Sequence, residues 1–159
     1  MVLLPAVTSA FDLPVIAAGG FLDGPTMAAA LALGAEGVQL GTAMLSSVES
    51  PVHPNWKQAV VDAAETDTVF LNSHTSPALR ALRTERTAAL EFDHGRNAMA
   101  SFGNVSDLYF GGDLGSGIPL SGQVAGRIDA SRPVVEIIRS CVAGCEETLA
   151  RLSARYVAT

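Results

Sequence analysis

Residues 12–45, "DLPVIAAGGFLDGPTMAAALALGAEGVQLGTAML", decide the fold. Val15 to Ala18 is a short apolar run between Pro14 and Gly19, as expected of a strand buried on both faces of a parallel sheet. Asp23 can cap a helix, Pro25 is tolerated in a first turn, Ala28 to Leu33 favour a helix, and Gly34 can end it. Gly37 to Leu40 then forms the next strand. Strand, helix and strand in such a short span make a βαβ unit with parallel strands. Each strand runs into glycine, first Gly19-Gly20 and then Gly41-Thr42, and the stretch has no Lys or Arg.

Glycine-bearing turns after parallel strands let backbone N–H groups approach an anion closely, and dipoles of this kind hold a phosphate without a side-chain cation. In eight-stranded α/β barrels a phosphate often sits at the last two strand-to-helix loops, beside a short extra helix. The residues after Gly41, "TAMLSS", suit that short helix. A lone Gly-Gly after a strand is ordinary turn chemistry; two such turns in succession form the stronger signal.

Working outward, residues 2–11 form the end of an amphipathic helix. Pro54 to Ala64 forms a helix, Thr68 to Leu71 a strand, and Ala78 to Leu90 a helix with Arg80, Arg83 and Arg86 along one face. That face is expected to be solvated and salt-bridged rather than a second phosphate clamp. From Asp93 to Ser121, including "FGGDLGSGIPLSG", the chain is rich in Gly, Asn, Ser and Asp and is expected to be irregular. Gly111 to Gly117 imitates a dinucleotide fingerprint without its flanking strand and helix, so a loop is expected. Pro133 opens a helix in which Val135, Ile138, Val142, Cys145, Leu149 and Leu152 recur at helical spacing, an apolar stripe expected to pack.

Composition bounds the function. With 159 residues the chain fits one domain, divided into phosphate-binding βα units at about 1–50, a smaller irregular lobe at about 51–130 and a C-terminal helix at about 131–156. Hydrophobic residues make up 48% and charged ones 16%, which excludes disorder. A net charge of -6 opposes nucleic-acid binding, and no apolar run approaches the roughly 20 residues of a membrane span. A cytoplasmic protein is expected. Cys141 and Cys145 are expected to be reduced thiols, and no metal site is expected. His53, His74 and His94 fall outside the two turns, and surface histidines are the ordinary reading; no catalytic residue is assigned.

The quoted stretch resembles the flavin-mononucleotide-binding part of the nitronate monooxygenases, formerly 2-nitropropane dioxygenases, and it also resembles the flavin-dependent enoyl-acyl carrier protein reductases. The resemblance continues through "HPNWKQAVVDAAETDTVFLNSHTSPALRALRT" and returns at "SGQVAGRI". It implies an α/β fold, the closing βα units of an incomplete (β/α)8 TIM-type barrel with a C-terminal helical segment. It implies FMN as cofactor, its phosphate held at Ala18, Gly19, Gly20, Gln39, Leu40, Gly41 and Thr42, with Gln123 near the cofactor. Family members usually carry an aliphatic residue where Phe21 stands, and often "GTRF" where this chain has "GTAM". The implied activity is oxidation of small alkyl nitronates with O2. The alternatives are reduction of an enoyl thioester, or an inactive flavin-binding or interaction module. The family's catalytic His belongs to a Gly- and His-rich stretch upstream of the matched portion. A chain with so few barrel strands is expected to pair with itself or with a complementary half-barrel.

Overall fold

The computed structural model describes residues 1–157. The chain divides into two compact units, one of Met1–Gly41 with the segment from Pro133 onward, the other of Thr42–Arg132.

The first unit holds α1 (Leu3–Ala10), β1 (Ile16–Ala18), α2 (Gly24–Ala32) and β2 (Gly37–Gln39), and closes with the long helix that begins at Val134. β1 and β2 pair in parallel, Ile16 opposite Gly37, Ala17 opposite Val38 and Ala18 opposite Gln39, with α2 as the crossover. This is the expected βαβ unit. α2 starts where the sequence indicates: Asp23 accepts the Thr26 N–H at 3.0 Å, and the Thr26 hydroxyl accepts the Asp23 N–H at 3.1 Å, a reciprocal capping box. A small core of Ala17, Ala30 and Ala35 packs with Leu4, Phe21 and Val38. Phe21, a departure from the family pattern, thus fills core volume. The expectation that β1 is buried on both faces fails. Only Ala17 is buried and Ile16 is 59% exposed, because successive strand side chains point to opposite faces and the core packs on the face that carries Ala17 alone.

The second unit contains α3 (Thr42–Leu45), α4 (Pro54–Val61), β3 (Thr68–Leu71), β4 (Leu79–Leu82), α5 (Glu85–Glu91) and α6 (Val105–Tyr109). β3 and β4 form an antiparallel pair, Thr68 opposite Leu82 through Leu71 opposite Leu79, and the chain at Leu120 bridges to Ala81 on the other side of β4. Val69, Leu71, Ala81, Ala98 and Ile118 form the core here.

The helix expected over 78–90 is therefore corrected. Its first part is strand β4, because β3 offers a ladder partner and Ala81 and Leu82 are buried there, and the helix starts only after Thr84 caps it on the Thr87 N–H at 3.2 Å. The arginine face dissolves with it. Arg80 donates to the Thr68 hydroxyl at 3.1 Å, Arg83 pairs with Glu91 at 3.2 Å, and Arg86 donates to the Ser101 carbonyl at 2.7 Å. The region 93–121 is less irregular than expected, since it includes α6 and a 3₁₀ turn at Ala98–Ser101. The "GGDLGSG" segment is a loop, as expected, folded around Asp113, whose carboxylate accepts the Gly115 N–H at 2.9 Å.

α7 (Val134–Tyr156) runs against α2 in the first unit. Its buried face is Cys141, Cys145 and Thr148, whereas Val135, Ile138, Val142, Leu149 and Leu152 are 40–48% exposed. The expected apolar stripe is thus mostly not the packed one. The contact with α2 selects the face that carries Gly144, because Gly24 of α2 meets the backbone of Gly144 with no room for a side chain, and helix backbones approach this closely only over small residues. Cys141 sits in the same seam, its Sγ 3.8 Å from the Met27 sulfur. Both cysteines are free and buried. Burial, then the nearby charge of Asp23 and the Cys145 thiol, push the Cys141 thiol above its usual range.

The seam yields three predictions. Gly24→Ala drives a methyl into the Gly144 carbonyl carbon and should cost about 3 kcal/mol or more, a fall in Tm of roughly 6–12 °C by calorimetry. Gly144→Ala, whose Cβ would lie 3.3 Å from the Gly24 Cα and which gains helix propensity, should leave Tm within a few degrees. In aromatic-disulfide titration at neutral pH the two thiols should react only on unfolding, because burial and the raised Cys141 value both suppress thiolate. Fast native labelling of both would show the seam open.

Candidate functional site

The parallel register sets the first feature. Ala18 lies opposite Gln39, so Gly19-Gly20 and Leu40-Gly41 leave the two strands at the same end, about 4.8 Å apart as neighbouring strands are. Gly19 and Gly20 have φ of 91° and 88°, a conformation L side chains rarely adopt, so the turn demands glycine. A Cβ built at Gly19, Gly20 or Gly41 meets nothing within 4 Å. Outside the β1–β2 ladder, the N–H groups of these three glycines make no backbone hydrogen bond among the described residues. Open space beside backbone amides at two adjacent strand ends is what a bound anion needs.

The charge around the first turn is arranged compatibly. Asp23, three residues beyond Gly20, spends its carboxylate on the start of α2, accepting the Thr26 N–H and hydroxyl at 3.0 and 2.8 Å. Ala18, Gly19 and Gly20 are exposed, as are Gln39 and Gly41, and Leu40 is half-buried. A groove between α1 and β1, lined by Leu4, Val7, Ile16 and Phe21 among others, reaches Ala18 and Gly19 at one end.

Thr42, the next residue of the chain, opens α3 in the second unit and is buried. Its hydroxyl accepts the Gly122 N–H at 2.8 Å and keeps its own hydrogen to donate. That bond spans 80 positions and fastens the "SGQVAG" segment, with exposed Gln123 opening a 3₁₀ turn, beside the start of α3. Tyr109 steadies the same segment, its hydroxyl accepting the Leu120 N–H at 2.9 Å and its ring packing on Trp56 at 5.9 Å. Burial raises the Tyr109 hydroxyl above its ordinary pKa, against the opposing Leu120 hydrogen bond. α3 itself is held from behind: the Ser46 hydroxyl donates to the Thr42 carbonyl at 2.9 Å, and the Lys57 ammonium donates to the Ser47 and Ser50 carbonyls at 2.7 and 2.8 Å. Ala43, where the family pattern often has Arg, is 4% exposed.

The structure thus brings Ala18, Gly19, Gly20, Gln39, Leu40 and Gly41 together at one sheet end, and Thr42 together with Gln123 through Gly122. Sequence reasoning missed Lys57 and Tyr109, whose tasks depend on carbonyls and amides that only folding brings near; no local pattern signals either. Of the histidines, His53 caps α4 by accepting the Asn55 N–H at 3.1 Å, and His74 contacts His94. Among the described residues, no group of three or more His, Cys, Asp or Glu could hold a metal, and no helix is long and apolar enough to cross a membrane.

Known proteins resemble this chain at several levels. The family model for nitronate monooxygenase matches residues 1–144. A probable nitronate monooxygenase of Staphylococcus saprophyticus is 44% identical over 85 residues, 54% of this chain and 24% of that protein. One of Staphylococcus aureus strain Newman is 40% identical over 80 residues, 50% of this chain and 22% of that protein. Among solved structures, FabK from Thermotoga maritima superposes with a TM-score of 0.87 at 40% identity, covering 96% of this chain and 50% of its own. A nitroalkane oxidase from Streptomyces ansochromogenes superposes with a TM-score of 0.74 at 27% identity, covering 95% of this chain and 44% of its own. The matches thus span about a quarter of the curated relatives' length and about half of the solved chains. The match over residues 1–144 includes both glycine turns, and the chain belongs to the nitronate monooxygenase family.

Proposed function

We propose that this chain contributes the FMN-phosphate-holding portion of a flavin oxidoreductase that oxidises small alkyl nitronates with O2. The observation that carries the reading is the pair of bare turns at one end of the β1–β2 sheet, with no side chain filling the space above Gly19, Gly20 and Gly41. Family membership supplies the cofactor class. The flavin, when bound, supplies the redox chemistry, and the protein's share is binding and orientation. In this reading Gly19, Gly20 and Gly41 donate backbone N–H to the phosphate and Ala18, Gln39 and Leu40 set the strand ends, while Thr42 and Gln123, of the second unit, enter by the family resemblance alone. No residue of this chain is assigned as the base.

The two units are read as the closing βα units of a (β/α)8 barrel with an associated smaller lobe. β1 and β2 each have one paired edge among the described residues, and Leu3, Leu13 and Ile16 are 76%, 70% and 59% exposed beside them. Unpaired edges and apolar surface of this kind support association with a second copy or a complementary half-barrel. A second reading of the chemistry, reduction of an enoyl thioester, is supported by the superposition on FabK at a TM-score of 0.87, a protein whose name differs from that of the nitronate enzymes.

Titration of the purified chain with FMN, followed by quenching of flavin fluorescence, should saturate at one flavin per chain. Gly41→Ala has no positive φ to strain and open space around its Cβ, so it should leave Tm unchanged while weakening FMN by about ten- to a hundredfold, because the added methyl takes the space through which the phosphate would reach the amide. Equal FMN affinity in that variant would remove the phosphate from this turn. Side-by-side assays of nitronate with O2 and of NADH or NADPH with an enoyl thioester separate the two chemistries. A colourless oligomer that takes up no added flavin would favour an interaction module.

A further inference from the structure

His74, on the connection between β3 and β4, and His94, on the loop after α5, meet in the second unit although 20 positions separate them. Their Nδ1 atoms lie 3.3 Å apart, the ring centroids are 5.1 Å apart, and the ring planes are inclined at 82°. Both side chains are exposed. Two imidazole nitrogens bound at about 2.0–2.1 Å to one tetrahedral ion stand about 3.3–3.4 Å from each other by trigonometry. The pair therefore already has the spacing of two ligands of a shared cation.

The loops that carry the two rings are fastened to each other independently of the rings. Asn72, 5% exposed and with φ of 59°, donates to the Pro77 carbonyl and to the Asn97 side-chain carbonyl, both at 2.9 Å. Its own side-chain carbonyl accepts the Ala98 N–H at 2.7 Å. One buried amide thus bridges the segment after β3 to the segment after His94, so the ring separation is set by the fold and little ordering is left for a ligand to impose. The neighbouring Asp93 is occupied within its own loop, accepting the Gly95 N–H at 3.2 Å and lying 3.6 Å from the Arg96 Nε.

From this geometry we infer that His74 and His94 form a two-imidazole site for a divalent transition metal of the Zn, Ni or Cu(II) class. Nitrogen donors select these ions over Mg and Ca, which take oxygen. Without metal, one Nδ1–H donates to the other Nδ1. With metal, that proton moves to Nε2 of the same ring, and both Nδ1 lone pairs reach the ion. The remaining positions belong to water or a small anion, which makes the site weak and exchangeable. It is independent of the flavin reading.

The test uses the whole chain in a non-chelating buffer, titrated with ZnCl2, NiCl2 and CuSO4 by calorimetry, with Ni(II) broadening of histidine ring signals read by NMR. One ion per chain is expected, Cu(II) binding tightest, with the His74 and His94 signals broadened first. His74→Gln and His94→Gln keep a hydrogen bond but cannot chelate, so each should lower affinity at least about tenfold and the double variant little further, with Tm unchanged in all three. Should a variant lose its fold, the broadening pattern of the unaltered protein decides alone. Absence of saturable binding up to about 1 mM overturns the site. So does binding that survives both substitutions, or broadening centred on His53.

Discussion

The parallel register of β1 and β2 is the constraint from which the rest of the site follows. Because Ala18 stands opposite Gln39, the chain leaves both strands at one level, and two turns that are distant in sequence become neighbours in space. A slip of one residue would turn every side chain of one strand to the other face and separate the turns. The register is held by the small core of Ala17, Ala30 and Ala35 and by α2, whose start is fixed by the Asp23–Thr26 capping box.

α7 supports this arrangement from the far side of α2 through backbone approach rather than through bulky packing. Gly24 and Gly144 allow the helices to touch, and Cys141 with Met27 fills the space beside them. The apolar residues left exposed on α7, together with Leu3, Leu13 and Ile16, show how much surface this unit leaves unburied. That is a property of a parallel βαβ unit with two strands, since its strands are normally covered on both faces and both edges.

The second unit works by different means. It relies on single buried or half-buried polar side chains to fix loops: Thr42 holds Gly122, Tyr109 holds Leu120, Lys57 holds the chain behind α3, and Asn72 holds the two histidine-bearing loops. Each satisfies backbone groups that a loop-rich fold would otherwise leave unpaired, and a buried unpaired group costs about 1–3 kcal/mol. The family's frequent Arg has no counterpart at Ala43, whose side chain is enclosed.

The sequence by itself determined the features that local physics controls: the strand ending in Gly19-Gly20, the Asp23 cap, β3 at Thr68–Leu71, and the helix after Pro133. Backbone conformation and capping are decided within a few residues, so these were legible. Tertiary structure alone decided that residues 79–82 form a strand, since an apolar and arginine-bearing run satisfies either period until β3 offers a ladder. It alone decided which face of α7 is buried, because close approach at a glycine outweighed the larger apolar stripe, and it alone brought His74 to His94 and Gly122 to Thr42. Contacts between residues far apart in the chain carry no local signature, and only the packed fold selects among them.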